Sequence, residues 1–300
     1  MIYLDHHSTT PLDPEAFEAM KPYFMEKFGN ASHGIHRFNW EAEAAVNLAR
    51  ANLATFIGAT EQEIIFTSGA TESNHLALLG LAPELRKLGK TTILSIEIEH
   101  ASLLGPLEML TEQGFKVLWI KLQSDGRVDL DDLRHKLRTE PNVGLVSIAY
   151  ANHEIGTIQP IKEISELTHA AGAIFHSDAV QAIGKIRVNV QADGIDIMTM
   201  SAHKIHGPKG IGALYVRRKK PRVELEALFR GGNQERGLRA GTPNTPAIVG
   251  FGKAAAILNQ TMESEVMKLR EMRDALWGEL KVRLPCVIRN GSTEHALPHN

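Results

Sequence analysis

The chain has 300 residues, 43% of them hydrophobic and 23% charged, with a formal net charge of −2. This suits one large α/β domain with part of a second, and the near-neutral balance leaves no electrostatic footprint for nucleic acid or an anionic membrane. The single cysteine, Cys286, excludes a disulfide framework. With no basic-then-apolar leader and no apolar run near the roughly 20 residues of a membrane span, a cytoplasmic protein in a reducing compartment is expected.

In chain order, an amphipathic pattern over 41–57 predicts the first long helix. Seven short, β-rich apolar runs follow, at 63–67, 91–96, 116–120, 143–149, 173–177, 196–200 and 213–216. Helix-like segments lie between most of them, at 71–88, 102–113, 130–138 and 161–171. The runs are nearly continuous in hydrophobicity, as strands covered on both faces are. The pattern predicts an α/β fold with a mostly parallel seven-stranded sheet and helices on both faces. A long helix-like stretch begins at Thr245, and its second part, 262–284, reads as a helix leading out of the large domain. A strand-like run, 285–289, closes the pattern. The expected organisation is an N-terminal segment 1–14, a large domain 15–258, and the start of a small domain at 259–300. One helix and one strand cannot bury a core alone, so that small α+β domain reads as incomplete.

Sites in such sheets form outside the carboxyl ends of the strands, and the chemistry-bearing residues fall there. Lys204 stands in Ser201-Ala202-His203-Lys204, after one strand and before the turn Gly207-Pro208-Lys209-Gly210. Asp178 ends another strand, with Gln181 three residues on. A lysine amine condenses with an aldehyde, and an aspartate keeps a pyridine nitrogen protonated. Together they are the two protein groups that a pyridoxal 5′-phosphate enzyme needs. The turn Ser68-Gly69-Ala70-Thr71 joins a strand to a helix start, where backbone N–H groups and the helix dipole suit a phosphate. The same pattern also fits an ordinary helix cap. His100 is suited to stack on a pyridine ring and to shuttle protons as a catalytic residue, or else is a satisfied structural histidine. Asn152, His153 and Gln181 could hydrogen-bond the cofactor's phenolic oxygen or the substrate, and Ser201 and His203 the phosphate. The cationic loop from Arg236 to Asn244 is either solvated or reaches a phosphate, in this site or a neighbouring subunit. His203 and His206 have no metal-site partners, and no metal is expected.

These residues, with Tyr3-Leu4-Asp5, Thr9-Thr10-Pro11, Gly29-Asn30, His36-Arg37-Phe38, Glu99-His100, Glu154-Ile155-Gly156 and Arg239-x-Gly241-Thr242, resemble the cysteine desulfurases. Those are pyridoxal phosphate enzymes of fold type I among the class V aminotransferases. The resemblance runs nearly end to end. It implies that Lys204 holds the cofactor covalently, that Asp178 pairs with its ring nitrogen, and that His100 stacks on the ring. It further implies that Gln181 contacts the phenolic oxygen, and that Ala70, Thr71, Ser201 and His203 surround the phosphate. Thr242 would reach the phosphate of a second subunit, which implies a homodimer. The implied reaction takes L-cysteine to alanine and passes sulfur to an enzyme or partner cysteine, for iron–sulfur assembly or thiolation. A sulfur-acceptor or scaffold protein is the implied partner.

Two departures stand out. The family's Asn-Asn-Glu is Asn152-His153-Glu154 here. The family's loop with the nucleophilic cysteine, and its carboxylate-binding arginine, have no counterpart in the sequence. Cys286, flanked by proline and β-branched residues, reads as part of a half-buried strand. The chain is therefore expected to bind the cofactor yet turn over free cysteine slowly. A selenocysteine lyase-like or aminotransferase activity, and a non-catalytic cofactor-binding scaffold, are the alternative readings.

Overall fold

The computed structural model describes residues 2–32, 34–219 and 221–300; Met1, first residue of the expected N-terminal segment, lies outside them. The helices are α1 (Pro14–Met20), α2 (Pro22–Met25), α3 (Arg37–Ile57), α4 (Ala70–Lys87), α5 (Ala101–Glu112), α6 (Leu130–Thr139), α7 (Ile161–Ala170) and α8 (Thr245–Arg283). The strands are β1 (Ile64–Thr67), β2 (Thr92–Ser95), β3 (Lys116–Trp119), β4 (Val143–Ser147), β5 (Ile174–Asp178), β6 (Ile197–Ser201) and β7 (Gly212–Val216). They form one sheet in the order β1-β7-β6-β5-β4-β2-β3. Pairing is parallel from β6 through β5, β4 and β2 to β3; β7 is antiparallel to both β1 and β6.

Every residue of β1, β2, β4, β6 and β7 is buried, which is why these runs lack polar alternation. Two apolar clusters cover the sheet. One holds Leu53, Ile57, Phe175, Met198, Tyr215 and Phe251; the other holds Leu76, Leu81, Leu85, Ile93, Leu107 and Leu214. The sheet therefore has a core on each face, with α3 and α8 over one and α4 and α5 over the other.

Helix α3 starts before the predicted 41–57 pattern, at Arg37, and ends where Gly58 adopts φ 70°. Helix α8 is a single helix of 39 residues whose buried positions stop at Met262, so the expected boundary after residue 258 falls inside one continuous element. Two expectations for the C-terminal stretch need correction. Residues 285–289 form no strand, and Cys286 is exposed, not half-buried. Pro285 lacks an N–H, and no neighbouring strand among the described residues offers the run a ladder. Residues 292–300 fold back onto the large domain. Thr157 bridges Ala296, Ile158 N–H donates to the His295 carbonyl at 2.7 Å, and Leu297 is fully buried.

Candidate active site

The parallel topology delivers the carboxyl ends of β2, β4, β5 and β6 to one edge, and a cavity of about 820 Å³ opens there. Of the residues singled out above, Ala70, Thr71, His100, His153, Asp178, Gln181, Ser201, His203 and Lys204 line it. Asn152 and Thr242 do not. Asn152 is buried, and its amide is consumed by the backbone: Nδ2 donates to the Ile98 carbonyl, while Oδ1 accepts from the N–H groups of Glu154 and Ile155, each at 2.9 Å. It shapes the loop that presents His153, and this corrects its expected place against a ligand. Thr242 lies in an adjoining cavity of about 230 Å³, with Ser68, Glu235, Arg239 and Asn244.

The turn before α4 is held open from both sides. A Cβ on Gly212 would come within 2.7 Å of the Gly69 backbone, so β7 passes the turn only as glycine. A Cβ on Gly69 itself would meet nothing within 4 Å, because that side is the cavity. Glu72, in the first turn of α4, accepts the Ser68 N–H at 2.7 Å and the Arg239 Nε–H at 3.1 Å. Glu72 thus ties the turn to the cationic loop. A buried ion pair between Arg50 and Glu235, at 2.6 Å, pins that loop to β1, where Glu235 also accepts the Phe66 N–H.

Lys204 ends the 3-10 turn Ala202–Lys204 that follows β6. Its Nζ donates to the His7 carbonyl, which also accepts from Gln181 Nε2 at 3.0 Å. Burial lowers the lysine's pKa, against the opposing pull of the Asp5 and Asp178 carboxylates. His203 is lowered by burial and by the Lys204 and Lys209 charges. His153 is lowered by burial and by His100, whose ring it meets edge-on at 5.0 Å and 81°.

Asp178 is 7% exposed and forms no ion pair with a lysine or arginine among the described residues. Its carboxylate accepts from Asn74 Nδ2 at 2.8 Å and from the Val180 N–H at 3.0 Å. Burial raises its pKa, which those two hydrogen bonds oppose. A buried carboxylate without a countercharge is costly, and a cationic ring nitrogen placed in this cavity would complement it. At the other end, the first turn of α4 offers N–H groups without helical acceptors beside Thr71, Ser201 and His203. The donor set therefore fits pyridoxal 5′-phosphate.

Asp5, His7, Thr9, Asn74 and Ser102 belong to the site by contact and had received no role. Only Asn74 left a local signal: it sits three residues after Thr71 on one helix, hence on the same side. The N-terminal residues reach the cavity through contacts such as Thr10 N–H to the His203 carbonyl at 2.9 Å, far apart in sequence.

Behind His100 lies Glu99, 4% exposed, with Oε1 accepting the Ala149 N–H at 2.7 Å. Burial, reinforced by Asp178, pushes its pKa up to about 8. Unfolded, the same carboxyl titrates near 4.5, so between these values the folded chain binds the extra proton. Its stability contribution is full below pH 4.5 and is lost as pH rises to about 8. Glu99→Gln keeps the shape and the acceptor without the charge. Urea denaturation of the cofactor-free chain should find the variant more stable at pH 8 by on the order of 3 kcal/mol. The gap should close near pH 4.5. A gap that does not change with pH would contradict the buried-acid assignment.

A family model described as "Aminotransferase class-V" matches residues 2–294. The chain belongs to this family. A cysteine desulfurase, IscS, of Anaeromyxobacter dehalogenans (strain 2CP-C) is 46% identical over 299 residues, covering 100% of this chain and 73% of that protein. Among solved structures, a NifS-like protein superposes with a TM-score of 0.93 at 36% identity, over 99% of this chain and 80% of its own. SspA in complex with cysteine matches with a TM-score of 0.80 at 38% identity, over 85% of this chain and 72% of its own. Like these relatives, the class V chain is an α/β protein of fold type I.

Proposed function

We propose that this chain binds pyridoxal 5′-phosphate and acts on L-cysteine as a desulfurase. The observation that carries the reading is the convergence of Lys204 and Asp178, from two adjacent parallel strands, on one cavity with a phosphate-type helix start. The bound cofactor supplies an electron sink for cleavage of the substrate's Cβ–S bond. Lys204, its amine favoured as the free base by burial, anchors the cofactor and moves protons at the substrate α-carbon. Asp178 holds a proton at the ring nitrogen. Ala70, Thr71, Ser201 and His203 hold the phosphate, and Gln181 and His153 the phenolic oxygen or the substrate. Thr242, exposed on its loop, faces a second copy of the chain in a homodimer.

The balanced reaction joins L-cysteine and a thiol to give L-alanine and a persulfide on that thiol. A cysteine of the enzyme or of an acceptor protein is the natural thiol, and cysteine bound to SspA supports the substrate assignment. Among the described residues no helix is long and apolar enough to cross a membrane, and a reducing cytoplasm suits the lone exposed thiol.

The purified chain, loaded with cofactor and given L-cysteine, should form alanine slowly, and faster when dithiothreitol is added as acceptor. Formation of a keto acid instead would overturn the reading in favour of transamination. Cys286 is not among the cavity-lining residues, so Cys286→Ser should leave alanine formation unchanged. If alanine formation disappears in Cys286→Ser while cofactor binding persists, Cys286 is the nucleophile.

A further inference from the structure

A hydrogen-bond chain connects His100 to Asp178 through Ser102 and Asn74. His100 is the N-cap of α5, and its Nδ1 accepts the Ser102 backbone N–H at 3.1 Å. A backbone N–H only donates, so Nδ1 must present its lone pair, and a neutral imidazole then carries its hydrogen on Nε2. The Ser102 hydroxyl, 2.8 Å from the same nitrogen, can be donor or acceptor. Asn74 decides which. Its Nδ2 donates to Ser102 Oγ at 2.9 Å, which leaves the hydroxyl's own proton for His100 Nδ1.

The orientation of the Asn74 amide is fixed in turn by Asp178. Nδ2 also donates to Asp178 Oδ2 at 2.8 Å, and a flipped amide would set its oxygen against the carboxylate. Asn74 is fully buried, so solvent offers it no substitute partner, and Ser102 is only 6% exposed, at the cavity wall. In such surroundings a chain of hydrogen bonds holds one arrangement.

We propose that Asn74 and Ser102 are a positioning pair that holds His100 as its Nε2–H tautomer and, through the same amide, orients the Asp178 carboxylate. Its meaning for catalysis rests on reading the cavity as the cofactor site. His100 then serves the site as a hydrogen-bond donor from Nε2, and proton abstraction falls to Lys204. Ser102 lines the cavity beside His100, whereas Asn74 acts only through Ser102 and Asp178.

The test is a two-bond proton–nitrogen NMR correlation on the full chain, labelled with 15N-histidine and free of cofactor, with His100→Gln identifying the His100 signals. The expected spectrum shows a pyridine-type Nδ1 and a pyrrole-type Nε2. In Asn74→Asp the new carboxyl shares one proton with the neighbouring Asp178, since two carboxylates this close do not both ionise. With no N–H left to donate to Ser102, it accepts the Ser102 hydroxyl proton and leaves Oγ as an acceptor toward Nδ1. The pure pattern should then be lost to an average of the two tautomers. Asn74→Leu, similar in size and uncharged, should move the signals the same way by less, and serves if the aspartate variant does not fold. A wild-type Nδ1–H tautomer, or an unchanged pattern in whichever variant folds, overturns the proposal. A chain that shows the expected tautomer yet fails to bind pyridoxal phosphate would instead refute the cofactor assignment alone.

Discussion

Borohydride reduction of the cofactor-loaded chain should place the stable label on Lys204, and Lys204→Ala should abolish both the label and turnover. Among the described residues two lysines reach the cavity, Lys204 and Lys209. They differ in environment. Lys209 is exposed, next to Gly210, and open to water. Lys204 is half-buried on a rigid turn directly after β6, and its amine is lowered by burial. A lysine that spends more time as the free base is the better nucleophile toward an aldehyde. Lys185, although buried, does not line the cavity. Loss of a proton-transferring side chain alone costs about 10²–10⁴ in rate, and loss of the anchor adds to this. Alanine formation by Lys204→Ala should therefore fall by at least about a thousandfold. Peptide mapping that finds the label on Lys209 or Lys185 would refute the assignment.

Much of the site was legible because its signals are local. A strand ending in Asp178, a strand followed by Ser201-Ala202-His203-Lys204, and a small-residue turn opening a helix each announce themselves within a few residues. The sheet was legible because both its faces are covered, which keeps the strands apolar end to end. The antiparallel placement of β7 between β1 and β6 was not, since strand order is set by tertiary pairing. The place of Asn152 is not legible locally, because an asparagine after a strand serves a backbone turn as readily as a ligand. Asp5, His7 and Thr9 escaped a role because their partners lie nearly 200 residues away; His203 Nδ1 meets Thr9 Oγ1 at 3.1 Å across a separation of 194. The neighbours of Cys286 alone suggest a half-buried strand. Its exposure follows from the lack of a strand beside it among the described residues, which local sequence does not encode.

Asp178→Ala should separate binding from chemistry. The variant still has Lys204, the α4 turn, Ser201 and His203, so the cofactor should still become fixed to Lys204 and still take the borohydride label. What it lacks is the anion beside the ring nitrogen. An opposite charge at about 4–6 Å raises the pKa of a base by about 1–3 units, so its removal lowers the ratio of protonated to unprotonated ring by about 10- to 1000-fold, and the protonated fraction at neutral pH by up to that factor. The electron sink weakens with it. In deuterated water, α-proton exchange from a bound amino acid should fall by a comparable factor while labelling persists. The surroundings make this charge hard to replace. Asp178 is 7% exposed, and its hydrogen-bond partners Asn74 and the Val180 N–H are both neutral. Glu99, the other buried carboxyl nearby, is pushed up to about 8 and so is mostly protonated at neutral pH. It cannot take over as the counterion without being deprotonated in an apolar setting. Exchange at the wild-type rate in Asp178→Ala would mean that the ring nitrogen needs no anion here, and the role assigned to Asp178 would fall.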